Sequence, residues 1–534
     1  MAGTDPWVPG RLRGDGAAPQ RQAHRLSTRV RDDWFPGIDL AAVADAALAA
    51  AADAGAAHAD VRCTDSRWSR ADVRDGVPTG SAEGTDRGVA VRVLVEGRWG
   101  FAAAPGTDPS AVAATARRAA AMARAAAALG SRPVELADEP AHRGSWQSDF
   151  SIDPFDVPAA DRSALLAERS AALLGHRSIQ HSEAFAEVHR ERVAYADAAG
   201  TAVQQERIRV HSAATATRVG ADGFVTMRTL APPAARGWEY VQGPAQPVGG
   251  ASGWDWDAEL AALGDLLAEK AAAPAMEPGE RTLVLDPTNL WLTIHESVGH
   301  ATELDRALGY EANYAGTTFA TPDQLDRLQY GSPLMHVTGD RLAEHGLATA
   351  AFDDEGVAAR RWDIVAAGVL RGYQLDRAMA AQFGLPASNG CAYADSYAHV
   401  PIQRMPNVSL QPGPAPATLD DLIAGVEDGL LVLGDDSWSI DMQRYNFQFT
   451  GQRAYRIRHG RAVGQVKDFA YQSSTPQFWN SLTALGGAGT YELGGAVNCG
   501  KGQPGQVAPV SHGCPAARFD RVRILNTASE GGRA

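Results

Sequence analysis

Hydrophobic and polar positions along the chain change character several times, and those changes mark its elements. Residues 1 to about 37 are rich in Arg, Gly, Pro and Asp without periodicity, which predicts a disordered leader. An alanine-dominated run from Asp39 to about Ala57 reads as a helix. Gly88–Phe101 reads as a hairpin, two β-rich runs turning at Glu96-Gly97. Residues 110–129 and 160–174 predict two more helices. Alternating segments at Phe185–Tyr195, Ala202–Ala214 and Phe224–Thr229 then predict an antiparallel sheet. This succession predicts an α+β N-terminal domain over 38–242 and argues against a doubly wound fold.

A Gly-, Pro- and Ala-rich linker (about 243–253) and a helix at 255–272 bridge 243–279. A short strand at Thr282–Leu285 follows. Asp286-Pro287 then forms a helix entrance, and the pattern carries that helix toward Leu308. From there to about Asn526 the chain is mostly short β-like runs with Gly-rich turns and one helix at 418–428, giving a β-rich C-terminal domain over 280–526. The tail, 527–534, is expected to fray.

Composition narrows the function classes. At 534 residues, two or three domains are expected. A hydrophobic share of 45% supports globular folding, and a net charge of -14 argues against a protein that reads nucleic-acid phosphates. Four cysteines in so long a chain do not make a disulfide framework. There is no signal-peptide h-region, and the Ala-rich 110–129 run is broken by Arg117, Arg118 and Arg124, so no membrane span is expected. These features predict a soluble, cytoplasmic protein.

The chemistry concentrates in Ile294-His295-Glu296-Ser297-Val298-Gly299-His300. Two imidazoles can hold a divalent ion, and a glutamate between them can take a proton from water. In H-E-x-x-H the histidines lie roughly 40° apart around a regular helix, whereas here, five residues apart, they diverge by roughly 140°. For both to reach one ion the helix must widen, most simply as a one-turn π-bulge. Gly299 would ease that distortion.

A third ligand must come from elsewhere. Cys499, in the glycine-rich run Gly494–Gly502, is the best candidate, with Lys501 nearby to favour the thiolate. Cys391, Cys514 and His512 are rivals that spacing leaves open, and Glu303 and Asp305 are candidate ligands or supporting partners. Taken alone, a cysteine like Cys499 is more often a small buried hydrophobe.

The His295–His300 helix resembles the metal-binding helix of the TldD/PmbA metalloprotease family, specifically the TldD branch, since TldE (PmbA) partners lack the two histidines and the glutamate. Further blocks agree in order: Asp86–Arg92, Asp353-Asp354-Glu355-Gly356, Gly372–Arg377, Arg404-Met405-Pro406-Asn407 and Asn498–Lys501. The resemblance covers roughly residues 39–525. It implies metal ligation by His295, His300 and Cys499, with Glu296 as catalytic base. It also implies hydrolysis of peptides and unfolded segments, in a homodimer or a heterodimer with a TldE/PmbA-type subunit.

Soft ligation suits Zn2+, with iron or another divalent transition metal as the alternative. Extended substrates are expected to add as a strand to the β-rich region, with Tyr310, Tyr314 and Arg404 as candidate contacts. Tyr310 and Tyr314, at helical spacing, can equally be core. The rival function is a non-catalytic metal-containing scaffold or peptide-binding subunit.

Overall fold

A computed structural model describes residues 31–130, 133–220, 223–243, 253–502 and 505–530. Of the expected leader, 1–30 lie outside the described residues. Its last part is ordered, however: Trp34 and Phe35 are buried against the first helix, so hydrophobic anchoring begins before residue 37. The linker at 244–252 is outside the described residues as well.

The N-terminal region is a seven-stranded sheet. In chain order its strands are β1 (His58–Arg74), β2 (Val77–Val95), β3 (Arg98–Ala104), β4 (Arg143–Gln147), β5 (His181–Asp197), β6 (Ala202–Gly220) and β7 (Gly223–Arg228). They lie in the order β3-β2-β1-β5-β6-β4, with β7 also on β6. Every pairing is antiparallel except β4 on β6. The β2–β3 turn falls at Glu96-Gly97, both with positive φ, as a tight hairpin requires. Helices Leu40–Asp53 and Pro109–Ala127 pack their alanine faces on Val89, Val91 and Val93 of β2.

β1 was not evident in the hydrophobic pattern. Its inward positions include Asp60 and Arg62, and burial of those charges depends on partners distant in sequence. Arg92 donates to Asp60, and Arg62 to Asp354.

The C-terminal region is built on a ring of five strands: Asp428–Ile440, Gly279–Leu285, Ala517–Asn526, Phe469–Ser474 and Asn446–Arg458. Asp428–Ile440 pairs in parallel with Gly279–Leu285 and antiparallel with Asn446–Arg458, which closes the ring. The ring removes free edges from the scaffold that carries the site. A two-stranded ribbon, Glu492–Lys501 with Gln506–Cys514, packs on the helix that starts at Pro287 and on the strand Asn407–Leu410.

The expected helix at 418–428 is shorter, Leu419–Ala424. Gly425 caps it, and Asp428 already begins a strand. The helix entered at Asp286-Pro287 does not run unbroken to Leu308. It leaves helical geometry at Glu303 (ψ 120°), where the backbone bridges to Gln374. The tail begins with a short helical turn at Thr527–Glu530. The two regions share one apolar cluster, in which Leu166 and Val188 pack with Val284, Leu431 and Ile457.

Candidate metal centre

The site is built at a helix that changes pitch. Asp286 caps it, its Oδ1 accepting from the Thr288 backbone N–H at 2.9 Å, and Pro287 occupies the first turn without losing a needed donor. Regular α-helix runs from Pro287 to Ile294. The next turn, His295–Gly299, is a π-turn in which the His300 N–H reaches the His295 carbonyl, and a short 3-10 turn follows over His300–Thr302. The widening expected from the five-residue spacing is therefore present.

Side chains donate to the carbonyls of the wide turn. Gln374 Nε2 donates to the Gly299 carbonyl, and Tyr330 Oη to the Ser297 carbonyl. Thr302 Oγ1 donates to the Val298 carbonyl at 2.8 Å. Gly299 has an ordinary helical φ of -53°, so conformational freedom is not what it supplies. It supplies space, since a Cβ there would lie 2.6 Å from Met405 Sδ.

His295, His300 and Cys499 are brought together, with one ligand atom of each within 4.8 Å of the others. Cys499 Sγ is 3.6 Å from His300 Nε2. Among the described residues no fourth His, Cys, Asp or Glu joins this group. Cys499 arrives on the ribbon strand through a bulge: Ala496 pairs with Val510 but Cys499 with Ala508, so one extra residue resets the alternation and turns Cys499 and Lys501 inward. Gly494 lets this strand lie on the site helix, since a Cβ there would be 2.2 Å from the Trp291 ring.

Groups behind the histidines fix their orientation. His512 Nδ1 lies 2.9 Å from the Val408 carbonyl, which can only accept, so His512 Nε2 is the acceptor toward His295 Nδ1 at 2.7 Å. His300 Nδ1 donates to Glu303 Oε2 at 2.9 Å. Both ligand candidates are thereby left with a bare Nε2 facing the site. His512, a rival ligand in sequence, supports His295, and Glu303 supports His300.

Cys391 and Cys514 are elsewhere. The Cys391 thiol donates to Asn389 Oδ1 at 3.3 Å, and the Cys514 thiol to the Pro287 carbonyl at 3.7 Å.

The electrostatics suit a cation. Burial holds His295 well below the usual imidazole range, and His300 down to about 3, so both rings are neutral. Burial also pushes the Cys499 thiol up to about 11, opposed by Arg404. Two bare imidazole nitrogens beside a buried sulfur are a soft donor set suited to a divalent transition metal. Lys501 does not serve the thiolate: its ammonium is held by Glu303 (3.0 Å), Asp305 (2.9 Å) and Gln403 (2.6 Å).

Glu296 is 6% exposed; burial raises its carboxyl, and the Arg444 guanidinium opposes that rise. Arg444 Nη1 donates to Glu296 Oε2. Nothing in the sequence marks Arg444, which comes from the Ile440–Asn446 turn of the strand ring.

Glu296, the three ligand candidates and Arg444 line one cavity of about 590 Å³. Its other walls include the Glu492–Gly500 strand and, from the N-terminal sheet, Arg70, Phe185 and His211. Tyr314 lines this cavity and is 57% exposed, whereas Tyr310 is exposed away from it and donates to Gln382 Oε1 at 2.8 Å. Neither is core. Arg404 does not reach the cavity. It is buried and braces the site from behind, Nη2 donating to the Cys499 carbonyl.

A family model described as the PmbA/TldA metallopeptidase C-terminal domain matches residues 278–526, and one described as PmbA/TldA metallopeptidase domain 1 matches residues 59–123. A metalloprotease TldD homolog of Haemophilus influenzae is 28% identical over 292 residues, 52% of this chain and 57% of that protein. The match thus spans little more than half the length of that relative. A metalloprotease of Methanothermobacter thermautotrophicus is 26% identical over 476 residues, 88% of this chain and 96% of that protein. A zinc metalloprotease TldD homolog of Saccharolobus solfataricus is 24% identical over 51% of this chain and 57% of its own length.

Two solved structures share the fold. One, described as a modulator of DNA gyrase from Bacteroides thetaiotaomicron, has a TM-score of 0.68 at 17% identity, covering 91% of this chain and 98% of that one. The other is TldE from Thermococcus kodakarensis, with a TM-score of 0.67 at 15% identity, covering 89% and 98%.

Proposed function

Because the chain belongs to the PmbA/TldD metallopeptidase family, we propose that it hydrolyses peptide bonds in unfolded or extended peptides, with Glu296 as general base. His295, His300 and Cys499 would hold a divalent transition metal, zinc before iron. The observation that carries this reading is the convergence of those three ligand atoms within 4.8 Å, with Glu296 on the same cavity wall. When bound, such an ion polarises the scissile carbonyl and lowers the pKa of water toward about 7.

This chain's own residues do the rest. His512 and Glu303 hold the two imidazoles in the tautomer that leaves Nε2 bare. Glu296 takes the water proton and passes it to the leaving amine. The Glu492–Gly500 strand lines the cavity and belongs to a two-stranded ribbon, the element along which an extended substrate backbone would add as a further strand. Recognition through backbone bonds favours unfolded chains over particular sequences. Tyr314 is the substrate contact retained from the sequence reading. The second subunit is a TldE-type partner or another copy of this chain, by analogy with the family.

A purely structural metal site would need a fourth protein ligand and would have no use for a carboxylate base beside it. The test is metal content per chain and cleavage of an unstructured peptide, compared across wild type, Cys499→Ala and Glu296→Ala. About one zinc in wild type and Glu296→Ala, far less in Cys499→Ala, and turnover in wild type alone is the expected pattern. Equal occupancy in Cys499→Ala removes that ligand, and appreciable turnover by Glu296→Ala removes the general base.

A further inference from the structure

The hydrolytic scheme above gives Arg444 no task, yet the fold goes to some length to aim it. Arg444 has a φ of +60°, a left-handed backbone that is costly for a long side chain and persists where the surroundings over-determine it. Here they do. Asp441 Oδ1 accepts from the Gln443 and Tyr445 N–H groups, at 3.1 and 2.8 Å, and Oδ2 from the Asn446 backbone and side chain, at 2.9 and 2.8 Å. Thr475 Oγ1 donates to the Arg444 carbonyl at 2.7 Å.

The result is a guanidinium lining the same cavity as His295, Glu296, His300 and Cys499. Its Nη1 meets Glu296 Oε2, while its buried Nε has no hydrogen-bond partner among the described residues. A guanidinium offers five donors in a fixed fork and cannot give up its charge. A site that needed only a counter-ion for Glu296 would leave most of that fork unused.

We propose that Arg444 binds the oxyanion of the tetrahedral intermediate, an assignment that rests on the peptidase reading above. Before reaction its charge is met by the Glu296 carboxylate. As the water oxygen bonds to the carbonyl carbon, Glu296 takes the proton and becomes neutral. The carbonyl π pair moves to its oxygen, which now holds the negative charge. Arg444 thus exchanges one anion for another without moving far. When the C–N bond breaks, the pair returns from oxygen to re-form the carbonyl, the Glu296 proton goes to the leaving nitrogen, and the Glu296–Arg444 pair is restored. A donor already in place is worth most where charge develops in a site shielded from water.

The experiment uses the full chain loaded with zinc, an unstructured casein-derived peptide that it cleaves, and a phosphinic analogue built at the cleaved bond. Arg444→Asn is the main variant, because asparagine tolerates the left-handed turn; Arg444→Lys keeps the charge. Zinc content per chain reports whether each variant retains the site. Arg444→Asn is expected to lose roughly 10²–10³-fold in kcat with little change in KM, and the same factor in affinity for the phosphinic analogue. In a Glu296→Gln background, Arg444→Asn should leave affinity for the uncleaved peptide unchanged; with Glu296 intact, Arg444→Lys should recover part of the kcat that Arg444→Asn loses.

Equal loss of peptide and phosphinic affinity would instead make Arg444 a ground-state contact, for instance for a substrate carboxylate. A lower kcat with unchanged phosphinic affinity would reduce it to a holder of Glu296. Either result overturns the proposal while the peptidase reading stands. A zinc-loaded wild type that neither cleaves casein peptides nor binds phosphinic peptides overturns the peptidase reading and this assignment together.

Discussion

Replacing Lys501 by Met tests whether the two halves of the proposed metal site are tied together by charge. Lys501 is 2% exposed, and its ammonium contacts Glu303, Asp305 and Gln403 within 3.0 Å, with Glu311 at 3.6 Å. Arg306, paired with Glu303 and Glu311, is the other cation that directly pairs with this group. Lys501→Met fills the volume of the stem but strands buried carboxylates, a change that costs about 3–5 kcal/mol when one partner of a buried pair is removed. It also frees Glu303, whose other oxygen orients His300, and loss of such a supporting bond typically weakens metal binding about 10–100-fold. Urea denaturation of the metal-free protein, followed by tryptophan fluorescence, measures the first effect. Zinc competition against a chelator measures the second. A stability loss below about 1 kcal/mol together with unchanged zinc affinity would refute the reasoning. A stability loss alone would show that Glu303 holds His300 without help from Lys501.

Gly494→Ala should push the ribbon strand off Trp291, because its Cβ would stand 2.2 Å from the ring; lower zinc affinity at near-native helix content by circular dichroism is expected. His512→Ala removes the acceptor for His295 Nδ1 and should weaken zinc binding about 10-fold in the same competition assay. Burial and the neighbouring Glu355 push the partly buried Asp376 carboxyl up from its ordinary value of 3.8 to about 7. In that window the native state keeps a proton that the unfolded chain gives up, so stability falls as pH rises from 4 toward 7. Asp376→Asn keeps an oxygen for the Met379 N–H, which Asp376 Oδ1 caps at 2.8 Å, and should flatten the decline by up to about 1.4 kcal/mol per pH unit in urea titrations.

Sequence carried the local parts of this protein well. The π-turn follows from the spacing once both histidines are taken to face one ion, because side chains roughly 140° apart on a regular helix cannot meet it. The Asp286 cap and the Glu96-Gly97 turn rest on equally local physics. What it did not carry depends on partners far along the chain. β1 looks polar until Arg92 and Asp354 are set against Asp60 and Arg62. Lys501 sits two residues from Cys499, yet contacts with Glu303, Asp305 and Gln403 decide where its charge acts. His512 has the chemistry of a ligand, and only the Val408 carbonyl behind it turns it into an acceptor for His295. Arg444 had no signal at all, since its position depends on how the strand ring folds over the helix.

The wide turn at His295–Gly299 also limits how far the motif can travel. Its shape is held by Gln374, Tyr330 and Thr302, and Met405 packs where a Gly299 side chain would be. A peptide spanning 286–302, cut from its surroundings, would lose the Gln374 and Tyr330 contacts and favour regular α-helical pitch, with its two histidines on different faces. Grafting these seventeen residues onto another helix would therefore transfer the letters of a metal site without its geometry.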